Sequence, residues 1–117
     1  MIKLGNSTSG FSTYSCRPVN KKELVMIIRD RISKEGPNCD LNDIDTSLIT
    51  DMTGLFYGSD FNCDISEWNV SNVENMSKMF EGSNFNQDIS NWKINKNCLT
   101  FNMFNDCSIK EKYKPKS

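Results

Sequence analysis

The sequence contains no histidine, and its five cysteines form no C-x-x-C pair. The first absence removes the usual base for a cysteine or serine nucleophile, and together they remove most zinc-site patterns. No phosphate-binding loop or other cofactor motif is present either. The sequence therefore favours a non-enzymatic protein that needs no cofactor and no metal.

The chain also lacks a charge excess and a long apolar run. Its 14 basic and 15 acidic side chains leave a formal net charge of −1, so no overall positive field attracts nucleic acid. No apolar stretch reaches the length of a signal-peptide core or a membrane span. We therefore expect no nucleic-acid or membrane partner. The expected location is the cytoplasm, or the cell surface if a leader has been removed.

An internal repeat of 24 residues is the main feature that is present. Asp40, Asp64 and Asp88 are evenly spaced by that interval, and apolar columns follow at the same spacing. These columns are Leu41/Ile65/Ile89, Ile44/Trp68/Trp92, Leu55/Met79/Met103 and Phe56/Phe80/Phe104. They define unit one (37–60), unit two (61–84) and unit three (85–108).

Each unit is predicted to contain a strand followed by a short helix. Around Trp68 and Val70, apolar and polar residues alternate as in a half-buried strand, so we expect one strand per unit in a parallel sheet. Apolar residues then recur at steps of three and four, which is typical of one helix face. Those residues are Val73, Met76, Met79 and Phe80 in unit two. The predicted fold is α/β, a short leucine-rich-repeat-like solenoid of parallel strands and short helices.

Ahead of the repeats, the pattern predicts a capping helix over 20–36. Asn20 and Glu23 have the spacing of an N-cap and a capping box, and Gly36-Pro37 ends the helix. Its apolar face would cover the first edge of the solenoid. The predicted organisation is one domain with an N-terminal arm (1–19), the capping helix (20–36), the three-repeat solenoid (37–108) and a basic C-terminal tail (109–117).

Unit two carries a longer motif, F-N-C-D-I-S-E-W-N-V-S-N-V-E-N-M-S-K-M-F over residues 61–80. It resembles the hallmark F-N-x-D-I-S-x-W-x-V-S-N-V-x-N-M-x-x-M-F of the BspA-like leucine-rich-repeat family, also described as the mycoplasma-type lipoprotein repeat. The resemblance covers about 37–108, although unit one has Ile44 where the family has Trp. It implies a surface-exposed or secreted protein-binding repeat of bacteria and some of their viruses, without enzymatic activity.

The predicted partner-binding residues are the outward positions of the three strands, because nothing internal fixes their identity. They are Asp43, Asp45, Glu67, Asn69, Asn91 and Lys93, and they grade from acidic to weakly basic along the repeats. Ligands of repeat proteins usually bind such a face. The predicted function is therefore binding of another protein. Two alternatives are a small phage-type inhibitor of a host enzyme or defence complex, and a fragment of a bacterial cell-surface adhesin.

Two columns admit a second interpretation. Cys39 and Cys63 occupy the same phase of neighbouring units, so they are either adjacent reduced thiols, which we favour, or a disulfide. The column of Asp40, Asp64 and Asp88 is either a calcium-binding ladder or a series of residues that bond their own turns. We favour the turns, since each loop between units offers only one carboxylate per turn.

Overall fold

The computed structural model describes residues 14–116, which contain one α-helix, α1 (Lys21–Glu35), and one 3₁₀ helix (Glu111–Tyr113). No helix in this range is long and apolar enough to cross a membrane. Residues 1–13 of the predicted N-terminal arm lie outside the described range.

The predicted capping helix is observed as α1, and local capping interactions define its ends. The Asn20 side chain accepts a hydrogen bond from the Glu23 backbone N–H at 2.9 Å, and the Glu23 carboxylate accepts one from the Val19 N–H. Gly36 ends the helix with a φ of 96° and donates its N–H to Ile32. Leu24 and Ile28 are buried against unit one.

The predicted strands and repeat helices are wrong: between residues 37 and 108 no β-strand or helix forms, so the protein is not a leucine-rich-repeat solenoid of parallel strands. Each unit is instead a succession of β-turns closed by N–H donation from residue i+3 to the carbonyl of residue i. In unit two these bonds close the turns Ile65–Trp68, Val70–Val73, Met76–Met79 and Phe80–Ser83 at 3.1–3.2 Å. Most apolar residues of these turns lie at the turn ends and point into the core.

Side-chain hydrogen bonds explain why turns replace strands. Asp64, Asn69 and Asn75 each accept, on the side-chain oxygen, the N–H of the residue two positions later at 2.9–3.0 Å. Asp40, Asp45, Asp51, Asp88 and Asn95 make the same bond in the other units. Such bonds turn the backbone every five or six residues and interrupt an extended ladder. For the column of Asp40, Asp64 and Asp88, these bonds agree with the interpretation that each aspartate bonds its own turn.

The three units stack in parallel at the predicted 24-residue spacing. Isolated parallel bridges join Asp40 to Asp64, Asp51 to Asn75 and Asn75 to Leu99. Two indole N–H groups reinforce the stack, because Trp68 donates to the carbonyl of Leu41 and Trp92 to that of Ile65, both at 3.0 Å. Adjacent units are therefore fixed to one another by main-chain and side-chain bonds together.

Aromatic rings form the centre of the core. Phe56, Phe80 and Phe104 stack along the repeat axis with centroid separations of 5.5 and 5.6 Å. Phe61 and Phe85 form a second column beside them, with Phe85 4.3 Å from Phe80. The methionines of the repeats are buried around these rings, as their spacing predicted.

Segments on both sides of the units extend the stack. Residues 15 and 16 pair with unit one through Ser15 N–H to Asp43 O and Asp45 N–H to Cys16 O, both 2.8 Å, so this part of the predicted arm is attached. After unit three, buried Ile109 continues the column of Phe61 and Phe85. The Tyr113 carbonyl accepts the N–H of Ile89 at 3.0 Å. The basic tail therefore begins a fourth layer.

Candidate protein-binding surface

Four of the six predicted binding residues line one open cleft of about 610 Å³ across units two and three. These are Glu67 and Asn69 from unit two and Asn91 and Lys93 from unit three. Trp68 and Val70, which are themselves buried, also line it, as does Ser66. We call this surface the polar cleft.

The polar side chains of the cleft are available to a ligand. Glu67, Asn91 and Lys93 are exposed, and within residues 14–116 their side chains form no hydrogen bond or ion pair. The Asn69 side-chain oxygen accepts bonds from the Ser71 N–H and hydroxyl, which leaves its amide N–H₂ to donate. A carboxylate, an ammonium group and two amides thus border the same depression.

The framework under the cleft is fixed by bonds between units. The Glu67 N–H donates to the Asn42 side chain at 2.8 Å, and the indole of Trp68 beside it donates to unit one. The indole of Trp92 lies between Asn91 and Lys93 in sequence and donates to unit two. The exposed side chains therefore extend from a backbone that is already ordered, which lowers the entropic cost of binding.

Asp43 is not a free outward residue. Its carboxylate accepts bonds from Arg31 of α1 at 2.8 and 3.0 Å and from the Ser15 hydroxyl. Partial burial by itself would raise the pKa of Asp43. The bonds from Arg31 and Ser15 have the larger, opposite effect, so this pKa lies below its usual value. Asp43 attaches α1 to unit one.

The expectation that Asp45 points outward is wrong, because Asp45 is only 4% exposed. It accepts a hydrogen bond from the Arg17 guanidinium at 2.7 Å and from the Ser47 N–H at 3.0 Å. Burial raises the pKa of Asp45, but the bonds from Ser47 and Arg17 lower it by more. Asp43 and Asp45 therefore hold the N-terminal segments and lie away from the cleft.

Sequence reasoning missed the partners of these aspartates and one apolar surface. Arg17 and Arg31 lie outside the repeats, so the 24-residue spacing gives no indication of their contacts. Leu99 and Phe101 of unit three are 46% and 67% exposed. The equivalent positions of unit two are polar, Asn75 and Ser77, and this departure from the repeat was an indication present in the sequence.

Cys39 and Cys63 are adjacent, as the repeat predicted, and both are free and buried with 3.6 Å between their sulfurs. Desolvation and the neighbouring Cys39 thiol raise the pKa of Cys63 to about 12. A thiol with such a pKa stays protonated near neutrality and is a poor nucleophile. Residues 14–116 contain no cluster of three or more acidic or cysteine side chains that could hold a metal ion.

The stacked 24-residue units define a small repeat protein. Its backbone is ordered, and the exposed side chains of Glu67, Asn91 and Lys93 are unpaired within the described residues. The particular family follows from sequence comparison: the chain belongs to the family described as "Mycoplasma protein of unknown function, DUF285", which matches residues 29–113. The match includes residues 29–35 at the end of α1, all three units and the start of the fourth layer. The chain matches no curated protein and no solved structure.

Proposed function

We propose that the protein is a non-enzymatic module that binds another protein and that the polar cleft is its recognition surface. The observation that carries this proposal is the convergence of Glu67, Asn91 and Lys93, all exposed and unpaired within the described residues, around one depression. The resemblance of residues 61–80 to BspA-like repeats, in which repeats bind proteins, supports the same function.

The charges of the cleft indicate what kind of partner it accepts. Glu67 and Lys93 lie on neighbouring units, so a partner with a basic and an acidic group at matching separation would satisfy both. The amides of Asn69 and Asn91 add donors and acceptors between them. Because Trp68 and Val70 also line the cleft, a small apolar side chain of the partner can enter it.

Photo-crosslinking in the source cell tests this proposal. A benzophenone amino acid in place of Asn69 should yield a discrete adduct with one protein, identified by mass spectrometry. The matched control carries the same group at Ser33, an exposed position of α1. A captured enzyme or defence complex would favour the inhibitor form of the function, and a surface receptor would favour the adhesin form.

The captured partner then allows a quantitative measurement. Glu67→Lys and Lys93→Glu should each weaken binding at least tenfold while changing the free energy of unfolding by less than about 0.5 kcal/mol, as exposed substitutions do. Equal adducts from Asn69 and Ser33, or unchanged affinity in both variants, would contradict the polar cleft as the binding surface.

A further inference from the structure

The peptide groups of one segment in each unit are aligned along the repeat axis. In unit two, the N–H groups of residues 76, 78, 80 and 82 donate to carbonyls of unit three at 2.7–2.9 Å. The N–H groups of residues 52, 54, 56 and 58 of unit one donate to unit two in the same way at 2.8–2.9 Å. Four columns of hydrogen-bonded peptides therefore run through the stack, with every N–H directed toward unit three.

Unit three ends these columns without acceptors. The equivalent N–H groups belong to Thr100, Asn102, Phe104 and Asp106, and none has a partner within residues 14–116. The backbone keeps the repeat conformation, since Asn102 and Asp106 have φ values of 55° and 56° at the phases of Lys78 and Gly82. We call these four residues the open edge.

The open edge combines donors with positive potential. Aligned peptide dipoles place partial positive charge at the N–H end of a column, as at the start of a helix. Residues 96–116 add five lysines against Asp106 and Glu111, a net charge of +3, whereas the rest of the chain carries −4. The edge is thus suited to oxygen acceptors and to negative charge.

An apolar cavity lies beside the open edge. It measures about 490 Å³, and Thr100 and Phe104 of the edge line it together with Ile94, Met103 and Pro115. Lys96 and Lys116 border the same cavity. The exposed side chains of Leu99 and Phe101 come from the same segment.

The opposite end of the stack carries N-terminal segments. The Lys21 ammonium group donates to the Thr53 carbonyl at 2.7 Å, and residues 15 and 16 pair with unit one. An end-to-end contact with a second copy would therefore have to break the bond from Lys21 to Thr53, whose carbonyl is in register with the open edge. A different protein is the better occupant of the open edge.

We infer that the open edge binds an extended, acidic segment of a partner protein by main-chain hydrogen bonding. The carbonyls of the segment accept the four N–H groups in the way that the carbonyls of residues 99, 101, 103 and 105 accept those of unit two. Its carboxylates lie near Lys96 and Lys116, and one apolar side chain occupies the cavity. This inference rests on the proposed function in assuming a protein partner, but it uses a surface separate from the polar cleft.

Amide NMR of the full chain tests the inference with a defined probe, an acetylated and amidated octapeptide of alternating Glu and Val. Titration should shift the N–H resonances of the open edge downfield and slow their hydrogen exchange, because these groups gain acceptors. A Lys and Val octapeptide of the same length is the control and should bind at least tenfold more weakly. Raising the salt concentration should weaken the binding of the Glu peptide.

Charge variants supply the matched comparison. Lys96→Glu combined with Lys116→Glu should weaken the affinity for the Glu peptide at least tenfold. Lys22→Glu combined with Lys34→Glu, an equal charge change on the exposed surface of α1, should change its affinity by less than twofold.

Each other outcome overturns the inference. Shifts confined to the polar cleft would place peptide binding there, which removes the open edge but keeps the proposed function. Concentration-dependent shifts of the open edge without peptide would assign it to a second copy of this chain. No shift at 1 mM peptide would exclude the edge as an acidic-peptide site, whereas the crosslink at Asn69 reports on the proposed function independently.

Discussion

At the scale of single residues, the backbone of the stack imposes unusual conformations on ordinary amino acids. Lys78 has a φ of 60°, a left-handed value that its counterpart Gly54 adopts without a side-chain penalty. The side chain of Lys78 is exposed, so no packing interaction explains the choice of lysine. The left-handed backbone costs a residue with a Cβ atom roughly 1–2 kcal/mol.

Lys78→Gly should therefore stabilise the protein. We expect a gain of about 0.5–1 kcal/mol in the free energy of unfolding, since relief of the left-handed strain exceeds the added entropy of the unfolded glycine chain. Urea denaturation measures the change. Glu74→Gly, at an exposed position that is not left-handed, should destabilise instead, and equal effects of the two substitutions would contradict the explanation.

The buried thiols should react slowly. Because the pKa of Cys63 is raised to about 12, little thiolate exists at pH 8, and labelling by a disulfide reagent should require unfolding. Denatured, non-reduced protein should take up five equivalents, one for each cysteine. Uptake of three or fewer would reveal a disulfide, for which Cys39 and Cys63 are the adjacent pair.

At the scale of elements, α1 is attached to unit one by a charged contact as well as by apolar packing. Arg31 donates to the Asp43 carboxylate and to the Asp40 carbonyl, and Leu24 and Ile28 bury their side chains in the core. The contact joins a segment outside the repeats to one inside them.

The stabilisation from this contact should depend on pH. The folded pKa of Asp43 lies below its unfolded value of about 3.9, so the contact stabilises the protein above about pH 4. That stabilisation is lost as the pH falls through the folded pKa. At pH 7, Arg31→Met should lower the free energy of unfolding by about 1–2 kcal/mol, and the melting temperature with it. At low pH, once Asp43 is protonated, the loss should be much smaller.

Arg29→Met is the control, because Arg29 is an exposed arginine of α1 without an ion pair in the described residues. It should leave the melting temperature nearly unchanged at both pH values. A difference between Arg31→Met and wild type that stays constant with pH would show that lost packing, not charge, explains the effect.

The elements also show what the sequence could and could not predict. The helix was predictable because Asn20, Glu23 and Gly36 act locally. The turns were not, because apolar residues three apart, such as Met76 and Met79, suit a helix face as well as the two ends of a β-turn. The sequence did contain one indication of turns. An aspartate or asparagine repeatedly stands two residues before a serine, threonine or asparagine.

The candidate site was predicted in part for a similar reason. The repeat spacing brought Glu67 and Asn69 next to Asn91 and Lys93, since stacking preserves the phase of each unit. It could not reveal the ion pairs of Asp43 and Asp45, because both arginine partners come from non-repeating sequence. The open edge required knowledge of backbone direction, which side-chain periodicity does not carry.

At the scale of the whole molecule, the described chain measures 44 × 30 × 26 Å and is organised around one continuous core. Phe80 of unit two lies at its centre, fully buried and in contact with the rings of Phe56 in unit one and of Phe85 and Phe104 in unit three. Its loss would affect every layer at once.

Phe80→Ala should therefore cost about 3–5 kcal/mol, as large-to-small core substitutions do. This is comparable to the total stability of a small domain, so the variant should melt far below wild type or fail to fold. Thermal melting by circular dichroism provides the measurement. Tyr57→Ala, which removes an aromatic ring that is 61% exposed, is the control, and similar melting of the two variants would refute the central role of Phe80.

The pairing of each unit with its sequence neighbours makes the stack a nearly one-dimensional system. Folding of an isolated unit is unfavourable, and the free energy is recovered at the interfaces between adjacent units. Nucleation is then the formation of one interface, and propagation is the addition of layers to it. Of the three units, unit two alone pairs with a repeat unit on each side, so we expect the first interface to include it and order to spread outward from it along a single axis.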